Sequence, residues 1–152
     1  MYDFKYQKAS SVADAAKTIG GDSEAKLVAG GMTLIPTLKQ RLAKPSQLVD
    51  LGGIAELRGI KKDGNNIVIG AMTKHIDVAN SPEVKSAIPA LADLASHIGD
   101  PAVRNRGTIG GSISNNDPAA DYPSAVIALN ATIITNKRKI AADDFFKGMF
   151  ET

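Results

Sequence analysis

Ala29-Gly30-Gly31-Met32-Thr33 is the segment that best predicts the fold of this chain. Its first residue ends the segment Lys26-Leu27-Val28-Ala29, which we expect to be a short buried strand, and it leads into apolar residues with helical spacing. Paired glycines allow positive φ and let successive backbone N–H groups point into one concavity. Such a nest binds phosphate oxygens without a cationic side chain.

A second stretch, Gly107-Thr108-Ile109-Gly110-Gly111-Ser112, has the same features. Two nests far apart in sequence suit a diphosphate held between two parts of one protein, so we expect a dinucleotide cofactor. On this interpretation Gly110→Val removes the cofactor and leaves the fold intact, because a β-branched side chain takes the phosphate's space.

Composition limits the function classes. The 152 residues are 43% apolar and 22% charged, as in a globular protein with a sizeable core. A net charge of +2 argues against a nucleic-acid partner, and the absence of cysteine excludes disulfides and argues against an iron–sulfur cluster in this chain. Since there is no membrane-length apolar run and no signal-peptide pattern, we expect a cytoplasmic protein with no membrane span. His75 and His97 have no metal-ligand spacing. We expect each to lie at the surface or in a helix where its ring nitrogens have hydrogen-bond partners.

Residues 1–52 are predicted to form a compact βαβ-like unit. Ser11 has the features of an N-cap, and Gly20-Gly21 is expected to end the helix that follows it. Thr33 is a candidate cap for the next helix, and Gln47–Leu51 reads as a second strand.

Residues 53–152 are predicted to form a second unit. Hairpins are expected around Asp63–Asn66 and Asn136-Lys137, with helices between them. The polar, glycine-rich stretch Gly99–Asn116 is interpreted as a long binding loop, since it is too long for a passive connection. Asp117 is expected to cap a helix whose first residue is the proline that follows.

The last residues are unusually apolar. Phe145, Phe146, Met149 and Phe150 are close enough in sequence to form one exposed apolar patch. Either this patch docks on a partner, or the chain is the front part of a longer protein. We favour the second interpretation.

Four segments, taken in order, carry a family resemblance. They are 29–36 (AGGMTLIP), 45–51 (PSQLVDL), 103–112 (VRNRGTIGGS) and 117–123 (DPAADYP). Together they resemble the FAD-binding medium subunit of molybdenum hydroxylases, the flavoprotein subunit of aerobic-type carbon monoxide dehydrogenases and the flavin domain of xanthine dehydrogenase. One Gly-Gly pair is weak evidence, whereas four ordered motifs between Tyr2 and Thr152 are specific.

The resemblance implies a mixed α+β fold. This is the two-part FAD-binding fold of the vanillyl-alcohol-oxidase (PCMH) type, with a small N-terminal βαβ unit (1–52) and a larger mixed-sheet unit (53–152). The family's C-terminal α+β domain is absent from this chain. A Rossmann domain is not expected, because no Gly-x-Gly-x-x-Gly follows a first strand.

The resemblance also implies a binding site. Segment Leu27–Leu34 would wrap the pyrophosphate with backbone amides, Thr108–Ser112 would hold its other side, and Asp121 would meet a ribityl or ribose hydroxyl. The implied cofactor-binding residues are Leu27, Val28, Ala29, Gly30, Gly31, Met32, Thr33, Leu34, Thr108, Ile109, Gly110, Gly111, Ser112, Asn115 and Asp121. Without the resemblance, Asp121 reads as a first-turn helix acid. Arg104 and Arg106 fit two roles equally, approaching the phosphates or bracing the loop through carbonyls.

The implied function is an oxidoreductase subunit for electron transfer. Electrons would pass from [2Fe–2S] clusters of a small subunit through FAD to an external acceptor, while a molybdenum–pterin large subunit oxidises the substrate. No catalytic or metal-ligating residue is expected here, because the flavin carries the chemistry. Two alternatives stay open: a stand-alone flavoenzyme such as UDP-N-acetylenolpyruvoylglucosamine reductase or a vanillyl-alcohol-oxidase relative, and a fragment that retains no flavin.

Overall fold

The computed structural model describes every residue from Met1 to Thr152. Its N-terminal strands are β1 (Lys5–Lys8), β2 (Lys26–Val28) and β3 (Gln47–Asp50). They form a parallel sheet with β3 in the centre. Parallel neighbours need crossover connections, and helices α1 (Val12–Gly21) and α2 (Leu34–Lys39) lie in them. This is the βαβ-like arrangement expected from the sequence.

The first helix begins where its cap predicts. Ser11 Oγ accepts a hydrogen bond from the Asp14 N–H at 3.1 Å, and α1 ends at Gly21. Thr33 occupies the N-cap position of α2, but its side chain makes no capping hydrogen bond. The Thr33 hydroxyl is therefore left free for another partner.

Strand β2 is not the buried strand that its apolar sequence suggests. Burial falls instead on the central strand β3, where Val49 is fully buried. Strand β2 pairs only with β3, so it lies at the sheet edge, and Leu27 keeps 46% of its surface exposed. The exposed apolar face of this edge strand lines a cleft.

The rest of the chain is mostly helical. Its strands are β4 (Ile60–Asp63), β5 (Asn66–Ile69), β6 (Thr132–Ile134) and β7 (Lys139–Ala141). Its helices are a 3₁₀ turn (Ala55–Leu57), α3 (His75–Asn80), α4 (Pro82–Ala87), α5 (Pro89–His97), α6 (Pro101–Arg106), α7 (Ile109–Asn115), α8 (Tyr122–Ala128) and α9 (Ala142–Phe145). Both predicted hairpins are confirmed, and they stay separate two-stranded sheets where a joint mixed sheet was expected. No helix combines the length and the apolar character that crossing a membrane requires.

Two apolar cores support these elements. The larger core packs the helices between and after the hairpins, with Val78, Val84 and Tyr122 fully buried in it. The smaller core joins α1 to the parallel sheet and includes Ile54, two residues beyond the expected domain boundary. The division at residue 52 stays a prediction.

The stretch Gly99–Asn116 is not the long loop that its composition suggests. It folds into α6 and α7, each started by a side-chain cap. Asp100 Oδ1 accepts from the Val103 N–H at 2.9 Å, and Thr108 Oγ1 accepts from the Gly111 N–H at 3.2 Å. These caps satisfy first-turn amides, which outweighs the poor helix propensity of the glycines.

Asp117 does not cap a helix. Its Oδ1 accepts from the Ala119 N–H at 2.9 Å, and its carbonyl accepts from the Ala120 N–H at 2.9 Å. These bonds close a local turn, and α8 starts only at Tyr122. Aspartate side chains stabilise such turns as readily as helix starts, so the sequence signal was ambiguous.

The apolar C-terminal residues do not form one patch. Phe145 lies in the larger core, and Phe146 packs against it edge to face, with ring centroids 5.2 Å apart. Met149 and Phe150 remain exposed. Helix α9 ends at Phe145, the ring of Phe146 still packs on that of Phe145, and the chain after it leaves Met149 and Phe150 at the surface.

Candidate functional site

A cleft of about 570 Å³ lies where the N-terminal sheet meets the helical part of the chain. Strand β2, the loop that follows it and the start of α7 line this cleft. The segment between α7 and α8 and the side chain of Phe150 complete the lining. Residues of both glycine stretches therefore line one space.

The loop after β2 offers a row of free backbone donors. None of the amides from Ala29 to Leu34 donates a hydrogen bond to another group of the protein, and pairing resumes only when the Ile35 N–H donates to the Gly31 carbonyl at 2.9 Å. We call residues 29–34 the amide cradle. Consecutive unpaired N–H groups on a cleft wall form a binding site for anionic oxygens.

The two glycines of the cradle are needed for different reasons. Gly31 has φ of +73°, a left-handed value that other residues rarely adopt. Gly30 has no room for a side chain, because a Cβ there would overlap the carbonyl of Arg106 and lie 2.8 Å from the Gly107 Cα. Gly31 thus turns the chain, while Gly30 lets the cradle pack against the α6–α7 junction.

The second glycine stretch is not a nest of free amides, and that prediction is wrong. Every amide from Ile109 to Ser112 already has an acceptor in the protein. The bonds run from Ile109 to the Thr73 carbonyl (3.0 Å), from Gly110 to the Ala71 carbonyl (2.9 Å), from Gly111 to Thr108 Oγ1 (3.2 Å) and from Ser112 to the Thr108 carbonyl (3.0 Å). What this wall offers to the cleft is the hydroxyls of Thr108 and Ser112.

The cleft brings together most of the expected binding residues. Those that line it are Leu27, Val28, Ala29, Gly30, Gly31, Met32, Thr33, Leu34, Thr108, Gly110, Gly111, Ser112 and Asn115. Ile109 instead points into the larger core, and Asp121 lies outside the lining at the N-cap position of α8. Ile109 is an apolar β-branched residue at the first position of α7, and burial in the larger core gives its side chain more apolar contacts than the cleft would.

Sequence reasoning missed several lining residues. They are Lys26, Leu51, Ala71, Met72, His75, Ile98, Val103, Gly107, Ser114, Asp117, Ala119, Ala120 and Phe150. Leu51, Val103, Gly107, Asp117, Ala119 and Ala120 lie inside the motif segments 45–51, 103–112 and 117–123, so those segments were a signal for them. The others belong to no motif, and only the tertiary structure places them in the cleft.

His75 is not at the surface, and one of its ring nitrogens has no hydrogen-bond partner. It is 4% exposed, its Nδ1 has no hydrogen-bond partner, and burial lowers the pKa of its imidazole. The buried ring of Tyr122 lies 5.3 Å away between centroids, and its hydroxyl also has no partner. Burial raises the pKa of that hydroxyl. Both side chains are therefore neutral near pH 7, and His75 adds no charge to the cleft lining.

The cleft has few charges of its own. Lys26 and Asp117 are the only lysine, arginine, aspartate or glutamate residues that line it. Arg104 braces its loop, since its guanidinium donates to the carbonyls of Ile98 (3.2 Å) and Gly99 (2.9 Å), and Arg106 is not in the lining. A ligand diphosphate would thus be held by amide dipoles rather than by ion pairs. Free amides, hydroxyls and apolar walls together fit a dinucleotide.

The fold and the site define a class, the mixed helix-and-strand domains with a cleft that fits a dinucleotide cofactor. The family model described as "FAD binding domain in molybdopterin dehydrogenase" matches residues 2–152. The chain therefore belongs to this family, which confirms the expected mixed helix-and-strand fold and the expected cofactor, FAD.

Relatives agree with this membership. The chain is 44% identical to the carbon monoxide dehydrogenase medium chain of Hydrogenophaga pseudoflava over 98% of its length and 54% of the relative's. It is 43% identical to the glyceraldehyde dehydrogenase medium chain of Sulfolobus acidocaldarius, covering 99% and 55% of the two chains. This chain thus spans about half the length of these relatives.

Solved structures give the same result. A carbon monoxide dehydrogenase structure from Hydrogenophaga pseudoflava superposes with a TM-score of 0.96 at 44% identity, over 99% of this chain and 54% of that one. Quinoline 2-oxidoreductase from Pseudomonas putida 86 superposes with a TM-score of 0.95 at 35% identity, over 99% and 54%.

Proposed function

We propose that the cleft binds FAD with its diphosphate on the amide cradle, and that the chain serves as the electron-transfer flavoprotein part of a molybdenum hydroxylase. The observation that carries this proposal is the unbroken row of unpaired amides from Ala29 to Leu34. A diphosphate supplies several acceptor oxygens that such a row can bind without a cation.

The surrounding residues have supporting roles in this proposal. The hydroxyls of Thr33, Thr108 and Ser112 donate to no protein group, so they are free for phosphate or sugar oxygens. Asn115 and Asp117 offer polar atoms further along the cleft, while the apolar lining excludes water from the ring systems. FAD, when bound, supplies the electron-accepting and electron-donating chemistry.

The partners are proposed from the relatives' names. Several are called medium chains or medium subunits of dehydrogenases and hydroxylases, which implies further subunits in those proteins. We propose that this chain works with a molybdenum–pterin large subunit and a [2Fe–2S] small subunit, and passes electrons to an external acceptor. A cytoplasmic location belongs to the same proposal. The names of the relatives favour the role as a subunit over that of a stand-alone flavoenzyme.

The proposal is tested by charge at Thr33, an exposed cradle residue. Thr33→Glu places a carboxylate beside the proposed diphosphate and should weaken FAD binding strongly, because like charges a few ångströms apart repel. Thr33→Gln has nearly the same shape without the charge and should bind far better than Thr33→Glu. The measurement is FAD affinity by calorimetry or flavin fluorescence, with thermal unfolding as a control for folding.

The outcomes separate the alternatives. ADP should compete with FAD, since it carries the same diphosphate. Equal affinity of the glutamate and glutamine variants would place the diphosphate away from the cradle. A folded wild-type chain that binds no flavin would support the fragment interpretation instead.

A further inference from the structure

Phe150 presents an exposed aromatic ring to the cleft. Its side chain is 57% exposed and lines the same space as the amide cradle. The neighbouring Met149 is 71% exposed but does not line the cleft. Apart from the buried ring of His75, Phe150 supplies the only aromatic surface in the lining.

The backbone holds Phe150 in an uncommon conformation. Its φ is +58°, a left-handed value that is rare for a bulky residue. It is the third residue of a turn that the Glu151 N–H closes on the Gly148 carbonyl at 3.0 Å. Glycine or asparagine is usual where such a turn needs positive φ. The local sequence therefore does not account for a phenylalanine there.

Asn116 clamps this turn from the end of α7. The Phe150 N–H donates to the Asn116 carbonyl at 3.0 Å. The Asn116 side-chain amide donates to the carbonyls of Gly148 at 2.7 Å and Glu151 at 3.1 Å. Asn116 is itself left-handed, with φ of +45°. Such strained backbone conformations persist where surrounding contacts hold them in place, and they cluster at ligand sites.

We propose that Phe150 is a binding residue whose ring stacks on an aromatic ring of the bound dinucleotide. The inference rests on the proposed function, since it needs a dinucleotide on the cradle. The hydrogen bonds at Phe150 hold its backbone in place, and no other exposed aromatic side chain lines the cleft. Such a ring can stack on a planar heterocycle at a reduced cost in conformational entropy. Adenine and isoalloxazine share this chemistry.

The test replaces Phe150 by glycine and by tryptophan, with Met149→Gly as the matched control. Phe150→Gly should weaken FAD binding about tenfold through lost stacking, and it should raise the melting temperature of the unliganded chain because glycine accepts positive φ. Phe150→Trp should keep FAD affinity. Met149→Gly should leave FAD affinity unchanged, because that side chain lies outside the cleft.

The opposite directions of affinity and stability make the test decisive. A purely structural role for Phe150 predicts that both fall together in Phe150→Gly, and that result would overturn the inference. ADP and riboflavin then identify the ring: weaker ADP binding assigns adenine, and weaker riboflavin binding assigns isoalloxazine.

The two proposals fail in different ways. If wild-type chain binds FAD and Phe150→Gly binds it equally well, only the stacking role is lost. If Thr33→Glu and Thr33→Gln bind FAD equally, the cradle assignment fails, while a tenfold loss in Phe150→Gly would still place a cofactor ring at Phe150.

Discussion

The two glycine stretches have almost the same sequence pattern, but their backbone amides have different roles. In residues 29–34 the backbone amides face the cleft without acceptors, whereas in residues 109–112 every amide is bonded within the protein. Gly31 is needed for its positive φ, while Gly110 is needed because its Cβ would lie 2.5 Å from the Ala71 Cβ. A glycine pair next to hydroxyl residues therefore does not by itself distinguish a ligand nest from a tight packing junction.

The difference arises from what each stretch packs against. The second stretch meets residues 71–74, whose carbonyls take the amides at the start of α7, and an isolated bridge joins Lys74 to Thr108. The cradle packs against the edge strand, the α6–α7 junction, Gly111 of α7 and Ile35 of α2, and none of these accepts a hydrogen bond from its amides. The amides of residues 109–112 thus stabilise the packing of the protein, whereas those of the amide cradle are free to bind a ligand.

The largest expected effect that tests this contrast is on Gly110. Gly110→Ala should destabilise the protein by about 3 kcal/mol, because the new methyl group meets the Ala71 Cβ and, at 2.7 Å, the Ala71 carbonyl. The matched control is Gly20→Ala in helix α1, where a Cβ meets nothing within 4 Å and should stabilise by about 0.5–1 kcal/mol. Chemical denaturation measures both.

This prediction replaces the one made from the sequence, that Gly110→Val would lose the cofactor and keep the fold. A Gly110 variant with wild-type stability and no FAD binding would restore the phosphate role of Gly110 and would contradict the packing role.

A smaller effect is expected at the cap of α7. Thr108→Ala removes the oxygen that accepts the Gly111 N–H and should cost about 1 kcal/mol of unfolding free energy. Thr108→Ser keeps that oxygen and should retain most of the stability. If Thr108→Ala instead abolishes FAD binding at unchanged stability, the hydroxyl acts on the ligand rather than on the helix.

The smallest expected effect is a pH dependence from His75. Burial lowers the pKa of His75 below its ordinary 6.5, so the unfolded chain takes up a proton at a higher pH than the folded chain. The unfolding free energy should therefore fall as the pH drops below 6.5 and stay flat above it.

His75→Gln should remove that slope, which denaturation curves on both sides of pH 6.5 would show. Hydrogen bonds lower the pKa of Asp14, Asp22 and Glu83, so the stability that these carboxylates contribute is lost only at more acidic pH, below about 4.5. An unchanged slope in His75→Gln would assign the pH dependence to another group.

Local signals predicted local structure well. The Ser11 cap and both hairpin turns occur where the sequence places them, because each depends on residues a few positions apart. The same signals were misleading where two outcomes share one motif. Asp117 could start a helix or close a turn, and the polar stretch before it could be a loop or two capped short helices.

The sequence by itself determined the family, the cofactor class and the segment that forms the cradle, because four motifs in order resemble a known family and need no knowledge of distant contacts. Only the tertiary structure decided which amides are free, since an acceptor for Gly110 comes from a residue far along the chain, Ala71. The burial of His75 beside Tyr122 and the position of Phe150 at the cleft were decided in the same way. Hydrogen-bond satisfaction and burial are properties of the packed chain, and no local pattern contains them.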